Sequence, residues 1–283
     1  VADIGAGSSS PAYLTVFNGQ LYFQATTTAH GAELWKVDPE GNADRVTDIN
    51  PGAGSSSPVH LTVFNGELYF QADNGERGAE LWKVSAAGTA ERLTDINPGS
   101  RAASPAYLTV FNGELYFQAD DGAADGAEDA EGAELWKINA AGATSLVADI
   151  NPGAGDSYPA YLTVVGDKLY FQARDDRHGA ELWMLTTLGA VSRVADVNLG
   201  RIGSFPSNLT VLDDALYFSA DENGQNSQIW RTGQADFGDA PDPSDGSGAD
   251  NYHTRSGDAG PQHTVTSDVR LGATIDGEDE AWP

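Results

Sequence analysis

The sequence is defined first by what it lacks. It contains no cysteine, which excludes a disulfide framework and any metal site built on thiolates. Basic residues are scarce, at 15 against 42 acidic residues, and the net charge of −27 argues against nucleic acid and anionic lipid as partners. No apolar run is long enough to span a bilayer, so we expect no membrane insertion. The acidic surface fits calcium sites, a saline habitat or simple solubility, and these explanations are compatible.

What the chain does contain is a repeat. Tryptophan marks five copies at a spacing of 47 residues, with one interval of 54: Trp35, Trp82, Trp136, Trp183 and Trp230. A fixed period of this length is typical of solenoids and propellers. The chain opens in the middle of a copy, so we expect Val1 to follow a processing site or a fragment boundary.

Each copy contains four segments rich in Val, Leu, Tyr, Phe, Trp and Thr, which favour strands. In the second copy they are 60–65, 67–72, 79–84 and 92–96. Asn65-Gly66 joins the first two, and this dipeptide is the strongest short hairpin signal. Proline and glycine fill the connection between copies, and no segment has the helical period. Four antiparallel strands per copy predict the blades of an all-β fold, a β-propeller.

The chain termini predict how the propeller closes. The fifth copy has no fourth strand near position 243, whereas Val1-Ala2-Asp3-Ile4 matches Val147-Ala148-Asp149-Ile150. We therefore expect residues 1–232 to form a five-bladed β-propeller in which strand 1–4 completes blade five and removes an open edge. In the alternative, strand 1–4 pairs with another subunit and produces a swapped chain or a filament.

The motif around each tryptophan suggests a family. Gly-Ala followed by Glu-Leu-Trp occurs four times, ending at Trp35, Trp82, Trp136 and Trp183, and Asp-Ile-Asn-Pro-Gly occurs at 48–52, 95–99 and 149–153. These stretches resemble the bacterial ELWxxDGT repeats and their linkers, although the Asp-Gly-Thr part has diverged. The resemblance implies a secreted or surface-attached bacterial protein, and it implies no defined activity.

Residues 233–283 differ in composition, with many Asp, Gly, Ser and Pro and few large apolar residues. Residues 236–242 read DFGDAPD and resemble the opening of a small β-rich module of bacterial surface proteins, and 271–279 resemble its continuation. We interpret this acidic extension as a partial β module that needs a partner strand, or alternatively as a disordered linker. Self-association or binding to other surface proteins would then use strand 1–4 or the tail 233–283.

Acidic clusters are the candidate metal ligands, because calcium prefers several carboxylate oxygens from one loop. The tail supplies Asp236, Asp239, Asp242, Asp276, Glu278 and Asp279, and the seven-residue insertion of the third copy supplies Asp120, Asp121 and Asp125. The alternatives are solvated charge in the tail and a tolerated surface insertion in the third copy.

Residues repeated in every copy are interpreted as structural. Asp48, Asp95, Asp149 and Asp196 are expected to satisfy turn amides, although equivalent cation or sugar sites would give the same pattern. The tryptophans lie in strands and are expected in the core. The glutamate two positions before each tryptophan is expected to accept hydrogen bonds from backbone amides or from arginine.

The sequence contains no recognisable catalytic arrangement, neither a Ser-His-Asp order nor a phosphate loop. We therefore expect a non-enzymatic, extracellular or cell-surface structural or adhesion protein that mediates assembly or attachment with the help of Ca²⁺. The first alternative is a carbohydrate-binding lectin with pockets between blades. A glycan-cleaving hydrolase is the remaining alternative, and it would need acids outside the repeat, such as Asp125.

Overall fold

The computed structural model describes residues 4, 7–122, 132–195, 197–198, 200–222 and 227–232, together with the backbone of Val269–Leu271. Within these ranges the chain forms strands and turns but no helix, so none of them provides a helix that could span a membrane. The strands form five four-stranded sheets, one for each copy of the repeat. The all-β, repeat-based prediction is confirmed.

In each sheet the strands follow one another in chain order, and every pairing resolved in the structure is antiparallel. The first sheet contains β1 (Ala12–Phe17), β2 (Gln20–Thr27), β3 (Gly31–Val37) and β4 (Ala43–Arg45). The second contains β5 (Val59–Phe64), β6 (Glu67–Asp73), β7 (Ala79–Val84) and β8 (Ala90–Arg92). The third contains β9 (Ala106–Phe111), β10 (Glu114–Asp120), β11 (Ala133–Ile138) and β12 (Thr144–Ala148).

The last two sheets follow the same plan. The fourth contains β13 (Ala160–Val165), β14 (Lys168–Asp175), β15 (Gly179–Thr186) and β16 (Val191–Arg193). The fifth contains β17 (Ser207–Leu212), β18 (Ala215–Asp221), β19 (Ser227–Arg231) and β20 (Val269–Leu271).

The hairpins between the first two strands have the predicted geometry. Asn65 and Gly66 both have positive φ, at 49° and 76°, as a type I′ turn requires. Asn18-Gly19 and Asn112-Gly113 repeat these values. The fifth copy uses Asp213 and Asp214 at φ 48° and 59°, so two aspartates adopt the left-handed conformation there.

The core lies between consecutive sheets. One cluster joins Phe17 and Tyr22 of the first sheet to Leu68 and Phe70 of the second. Another joins the second and third sheets, and a further one joins the fourth and fifth. Because both faces of a sheet are covered, Leu68, Tyr69 and Phe70 are consecutive and all buried. Face-to-face packing of four-stranded antiparallel sheets is the arrangement of propeller blades.

The chain divides into two compact units. The first comprises Val1–Leu162 with Ala173–Asp176, and the second comprises Thr163–Gln172 with Arg177–Pro283. The boundary predicted at residue 232, between a propeller and an acidic extension, stays a prediction.

Two strand assignments need correction. In the second copy the fourth strand is β8, which ends at Arg92, whereas the sequence predicted 92–96. The backbone leaves the sheet early because the Ile96 amide donates a hydrogen bond to Glu80 Oε2 at 3.3 Å, and the Asp95 carboxylate pairs with Arg92.

The second correction concerns the outer strand of the fifth sheet, which was assigned to strand 1–4. In the structure β20 takes this place, with Trp230 opposite Arg270. Its Val-Arg-Leu pattern offers the same alternation of apolar and polar residues. Residues 1–3 lie outside the described ranges, and Ile4 packs against Phe23, Ala25 and Trp35 of the first sheet.

Candidate functional site

The candidate calcium ligands lie mostly beyond the described ranges, which omit the following seven: Asp125, Asp236, Asp239, Asp242, Asp276, Glu278 and Asp279. The other two, Asp120 and Asp121, stand at the base of the insertion. Asp120 Oδ1 accepts a hydrogen bond from the Gly122 amide at 2.7 Å, and Asp121 Oδ1 accepts one from the Gly132 amide at 2.9 Å. Across the described ranges, no group of three or more acidic or histidine side chains is arranged for a metal ion. A calcium site stays a prediction.

The glutamate before each tryptophan is fully buried in four copies: Glu33, Glu80, Glu134 and Glu181. Glu33 shows the arrangement, since its carboxylate accepts hydrogen bonds from the amides of Ile49 and Asn50 and from the Ser56 hydroxyl at 2.7 Å. The donors belong to the linker that leads to the next sheet. The predicted backbone hydrogen bonds of these glutamates are therefore confirmed, and a serine hydroxyl was not foreseen.

Burial also changes the acidity of these groups. Desolvation raises the pKa of Glu134 to about 7, although the hydrogen bonds from Ser157 and from the Ile150 and Asn151 amides act in the opposite direction. Burial likewise raises the pKa values of Glu33 and Glu80. A raised carboxyl pKa often indicates catalysis, but here each carboxylate is enclosed by its own linker.

The predicted turn-amide contact of the repeated aspartates is seen at Asp149, whereas Asp95 makes ion pairs instead, and four of the repeated tryptophans lie in or against the core, as predicted. Asp149 Oδ2 accepts the Gly153 amide at 3.1 Å, and Asp95 pairs with Arg77 and Arg92. Trp35 belongs to a core cluster, and three other tryptophans pack against the cores: Trp82, Trp136 and Trp230. Asp196 lies outside the described residues.

The inner strands carry a feature that the sequence did not reveal. Four ring-bearing side chains occupy the same repeat position at the start of β1, β5, β9 and β13; we call them the aromatic row, which consists of Tyr13, His60, Tyr107 and Tyr161. Tyr13 is 51 % exposed and Tyr161 is 42 % exposed. The ring centroids of His60 and Tyr107 are 6.0 Å apart, and those of Tyr107 and Tyr161 are 5.6 Å apart. In the first unit, His60, Tyr107 and Tyr161 thus form a run of neighbouring rings, and Tyr13 holds the same repeat position.

All four residues have left-handed backbone geometry, with φ between 56° and 59°. They lie at the point where the pairing register of the inner strand shifts, as between Ala12 and Thr15. Bulky residues avoid this region because Cβ crowds the backbone, at a cost of about 1–2 kcal/mol each. Such strain persists only where the surroundings enforce it.

A hydroxyl contact fixes the inner strands beside one another. Thr15 Oγ1 donates to the Leu61 carbonyl at 3.2 Å, and Thr62 and Thr109 make the same bond to Leu108 and Leu162. Each threonine follows its aromatic residue by two positions. The spacing of the aromatic row is therefore set by hydrogen bonds from threonine side chains to backbone carbonyls of the neighbouring sheet.

The aromatic row was not predicted, because this segment has the composition of an ordinary strand. A signal was present in the sequence, since a tyrosine or a histidine precedes the repeated leucine in four of the five copies. Its significance lies in the positive φ, and that conformation depends on the bulge and on the neighbouring sheet.

Comparison with solved structures supports the fold. The chain is similar to a structure of prolyl endopeptidases, with 15 % identity, a TM-score of 0.50, and coverage of 78 % of this chain and 33 % of that one. A puromycin-hydrolyzing peptidase of Mycobacterium tuberculosis matches with 13 % identity, a TM-score of 0.47, and coverage of 77 % and 35 %. Prolyl oligopeptidase B from Galerina marginata matches with 11 % identity, a TM-score of 0.48, and coverage of 75 % and 31 %. The chain spans about a third of these proteins, so the likeness concerns fold alone. No curated protein sequence matches.

The family comparison corrects the resemblances drawn from short motifs. The matching family model is described as outer membrane protein assembly factor BamB, and it covers residues 21–252. The assignment to ELWxxDGT repeats, and that of the tail to a DFGDAPD module, are therefore wrong. Glu-Leu-Trp is explained by the buried glutamate and the core tryptophan, which any propeller blade of this design could use. With about four-fifths of its length matched, the chain belongs to the family of the outer membrane protein assembly factor BamB.

Proposed function

We propose that this protein is a non-catalytic assembly or attachment module that binds a partner protein through the aromatic row. The observation that carries the proposal is the left-handed backbone at Tyr13, His60, Tyr107 and Tyr161. Evolution tolerates such strain at functional positions more readily than elsewhere. Aromatic side chains are enriched at protein interfaces, where they bury a large area at a small entropic cost.

The family supports an assembly role outside the cytoplasm. Its description names an outer membrane assembly factor, and a location at the outer membrane or the cell surface agrees with that description. The burial of the repeated glutamates supports a non-catalytic role, because hydrogen bonds from the linkers already occupy carboxylates that would otherwise be candidate acids and bases.

The test replaces aromatic residues by asparagine, the residue that the fifth sheet has at the same position. Asn208 occupies the aromatic position in the fifth sheet at φ 55°, and asparagine tolerates this conformation. A protein with Tyr107→Asn and Tyr161→Asn should therefore fold with unchanged circular dichroism and lose the aromatic surface.

A photoreactive amino acid at position 13 reports on partner contact in cells. We expect a discrete adduct with an envelope protein, at least tenfold weaker in the Tyr107→Asn/Tyr161→Asn background. The matched control places the same probe at Leu188, which is 95 % exposed in the turn between β15 and β16. An equal adduct at position 188, or one that survives the double substitution, would contradict the proposal.

Carbohydrate binding is a second candidate function, because exposed tyrosine rings can stack on sugars. A glycan array probed with the wild-type protein and with the double variant distinguishes it. Signals that depend on Tyr107 and Tyr161 would favour the lectin, and silence on a broad array would reject it.

Calcium is proposed as an aid to assembly through the insertion at Asp120 and Asp121 and through the acidic tail. Asp120 and Asp121 support this proposal by carrying two adjacent carboxylates at the base of an acidic loop. At matched ionic strength, CaCl₂ should raise the melting temperature or promote self-association more than NaCl does, and a chelator should reverse the effect. Equal behaviour in the two salts would reject calcium.

A further inference from the structure

An ion pair recurs in the second and third sheets. Lys83 Nζ lies 3.0 Å from Glu67 Oε1, and Lys137 Nζ lies 3.0 Å from Glu114 Oε2. In each case the lysine belongs to the third strand and the glutamate begins the second. A tyrosine hydroxyl completes both groups, since Tyr69 donates to Glu67 at 3.0 Å and Tyr116 donates to Glu114 at 2.7 Å. The pair therefore forms part of the repeat.

The pattern is broken in the first sheet, which has Gln20 and Lys36 at these positions, and again in the fourth and fifth sheets. The glutamate position holds Lys168 and then Ala215, and the lysine position holds Met184 and then Arg231. The fourth and fifth sheets therefore keep a cation and lose the carboxylate that would neutralise it. Repeat proteins build unique sites where the repeat is broken, because equivalent residues serve the shared fold.

Lys168 and Arg231 make other contacts than the lysine–glutamate pairs of the second and third sheets. Lys168 lies 3.8 Å from the Asp167 carboxylate, which is 78 % exposed. The Arg231 guanidinium lies over the Tyr217 ring, 5.9 Å from its centroid. Arg231 Nε is buried and has no hydrogen-bond partner among the described residues. A guanidinium that is stacked on a ring keeps its charge for a ligand carboxylate.

Both cations line one cavity of about 500 Å³ within the second unit. The hairpin residues Asp213 and Asp214 line the same cavity, as does Thr232. The volume lies within the range of small-molecule sites. The lining therefore combines two cations with carboxylates that can accept hydrogen bonds.

We propose that this cavity binds an acidic sugar, that is, a saccharide that carries a carboxylate. Arg231 and Lys168 pair with the carboxylate, since a guanidinium binds this planar group through two parallel hydrogen bonds. Asp213 and Asp214 accept hydrogen bonds from the ring hydroxyls. A compact polyanion is disfavoured, because three aspartates face the same space. The cavity shares no residue with the aromatic row, and this proposal goes beyond the proposed assembly role.

Isothermal titration of the full chain with glucuronate tests the proposal. We expect glucuronate to bind at least tenfold more tightly than glucose, which has the same ring without the carboxylate, and more tightly than acetate, which has no ring. An oligouronate distinguishes a free sugar acid from the end of a polysaccharide as the source of the same group.

Three variants locate the site. Arg231→Gln should weaken glucuronate binding at least tenfold. Ala215→Glu should do the same by restoring the internal carboxylate, as Glu67 does for Lys83. Lys83→Gln is the matched control, because it removes an equivalent cation that is already paired, and it should leave the affinity unchanged. Circular dichroism checks that each variant folds.

Several outcomes would overturn the proposal. One is equal binding of glucose and glucuronate, and another is an effect of Lys83→Gln as large as that of Arg231→Gln. If phosphate bound as tightly as glucuronate does, a sugar would be rejected as the class of ligand. The Tyr107→Asn/Tyr161→Asn protein should bind glucuronate normally, so a failure here and a failure of the assembly role are distinguishable.

Discussion

At the scale of single residues, one position shows how a buried carboxylate depends on its donors. Ser56, Ser157 and Ser204 each donate a hydroxyl hydrogen bond to the buried glutamate of their copy, at 2.6–2.7 Å. The equivalent residue in the second copy is Ala103. In that copy the Thr94 hydroxyl donates to Glu80 Oε2 at 3.0 Å instead, whereas Glu80 Oε1 is buried without a hydrogen-bond partner in the described part of the chain.

Ala103→Ser should therefore stabilise the protein. A hydroxyl at position 103 adds a donor beside a carboxylate whose Oε1 has none among the described residues, and we expect a gain of about 1 kcal/mol in the free energy of unfolding, measured by urea denaturation. The matched control, Ser157→Ala, removes the same bond from Glu134 and should cost about 1–3 kcal/mol. A loss of stability in Ala103→Ser would show that the site has no room for the hydroxyl.

Glu134 should make stability depend on pH. Burial raises its folded-state pKa from 4.5 to about 7, so the folded protein keeps a proton that the unfolded chain has released. The resulting stabilisation is complete below pH 4.5 and is lost as the pH rises through 7. Glu134→Gln should flatten the stability profile in this window, measured by urea denaturation at several pH values. Glu40→Gln, on an exposed turn, is the control and should leave the slope unchanged.

At the scale of the element, the glycine that begins the third strand is a packing residue. A Cβ on Gly31 would collide with the Gly54 carbonyl oxygen, and one on Gly78 would lie 2.5 Å from the Arg101 carbonyl oxygen. The linker to the next sheet passes directly over these glycines. The repeated Gly-Ala before Glu-Leu-Trp therefore reflects close contact between a strand and the following linker.

Gly31→Ala should destabilise the protein much more than Gly19→Ala. Both glycines have positive φ, at 60° and 75°, but a Cβ on Gly19 would meet no atom within 4 Å. We expect a loss of about 1 kcal/mol at Gly19 from backbone strain alone and a loss several times larger at Gly31. Equal losses in urea denaturation would mean that the linker moves aside without cost.

Local patterns predicted most of the elements. Asn65-Gly66 indicated its hairpin because the turn type depends on those two residues. The spacing of the tryptophans indicated the number of sheets. The aromatic row was not predictable, since the positive φ of Tyr107 depends on a bulge and on threonine contacts from a neighbouring sheet. The end of β8 was also missed, because it depends on the buried Glu80.

At the scale of the whole molecule, charge is the dominant property. A net charge of −27 creates self-repulsion, which opposes the compact state. NaCl should therefore raise the melting temperature as the ionic strength increases from about 0.01 M to about 0.5 M, because the screening length shortens over this range. An unchanged melting temperature would show that the carboxylates are too far apart to repel.

Composition predicted this surface, but it could not predict where the charge pattern is interrupted. Lys168 and Arg231 became visible as a pair only when the structure placed them on one cavity. The family was also beyond the reach of short motifs, because Glu-Leu-Trp reflects blade construction.

The buried glutamates also have a mechanical consequence. Each carboxylate ties the segment leaving one sheet to the middle strand of that sheet, as the Ile150 amide and the Ser157 hydroxyl do at Glu134. A pulling force along the chain would have to break these hydrogen bonds before it could detach the fourth strand from the sheet. Under tension, the sheets should therefore unfold in discrete steps, as the hydrogen bonds to each buried glutamate break in turn. The second copy, in which no described residue donates to Glu80 Oε1, should unfold first.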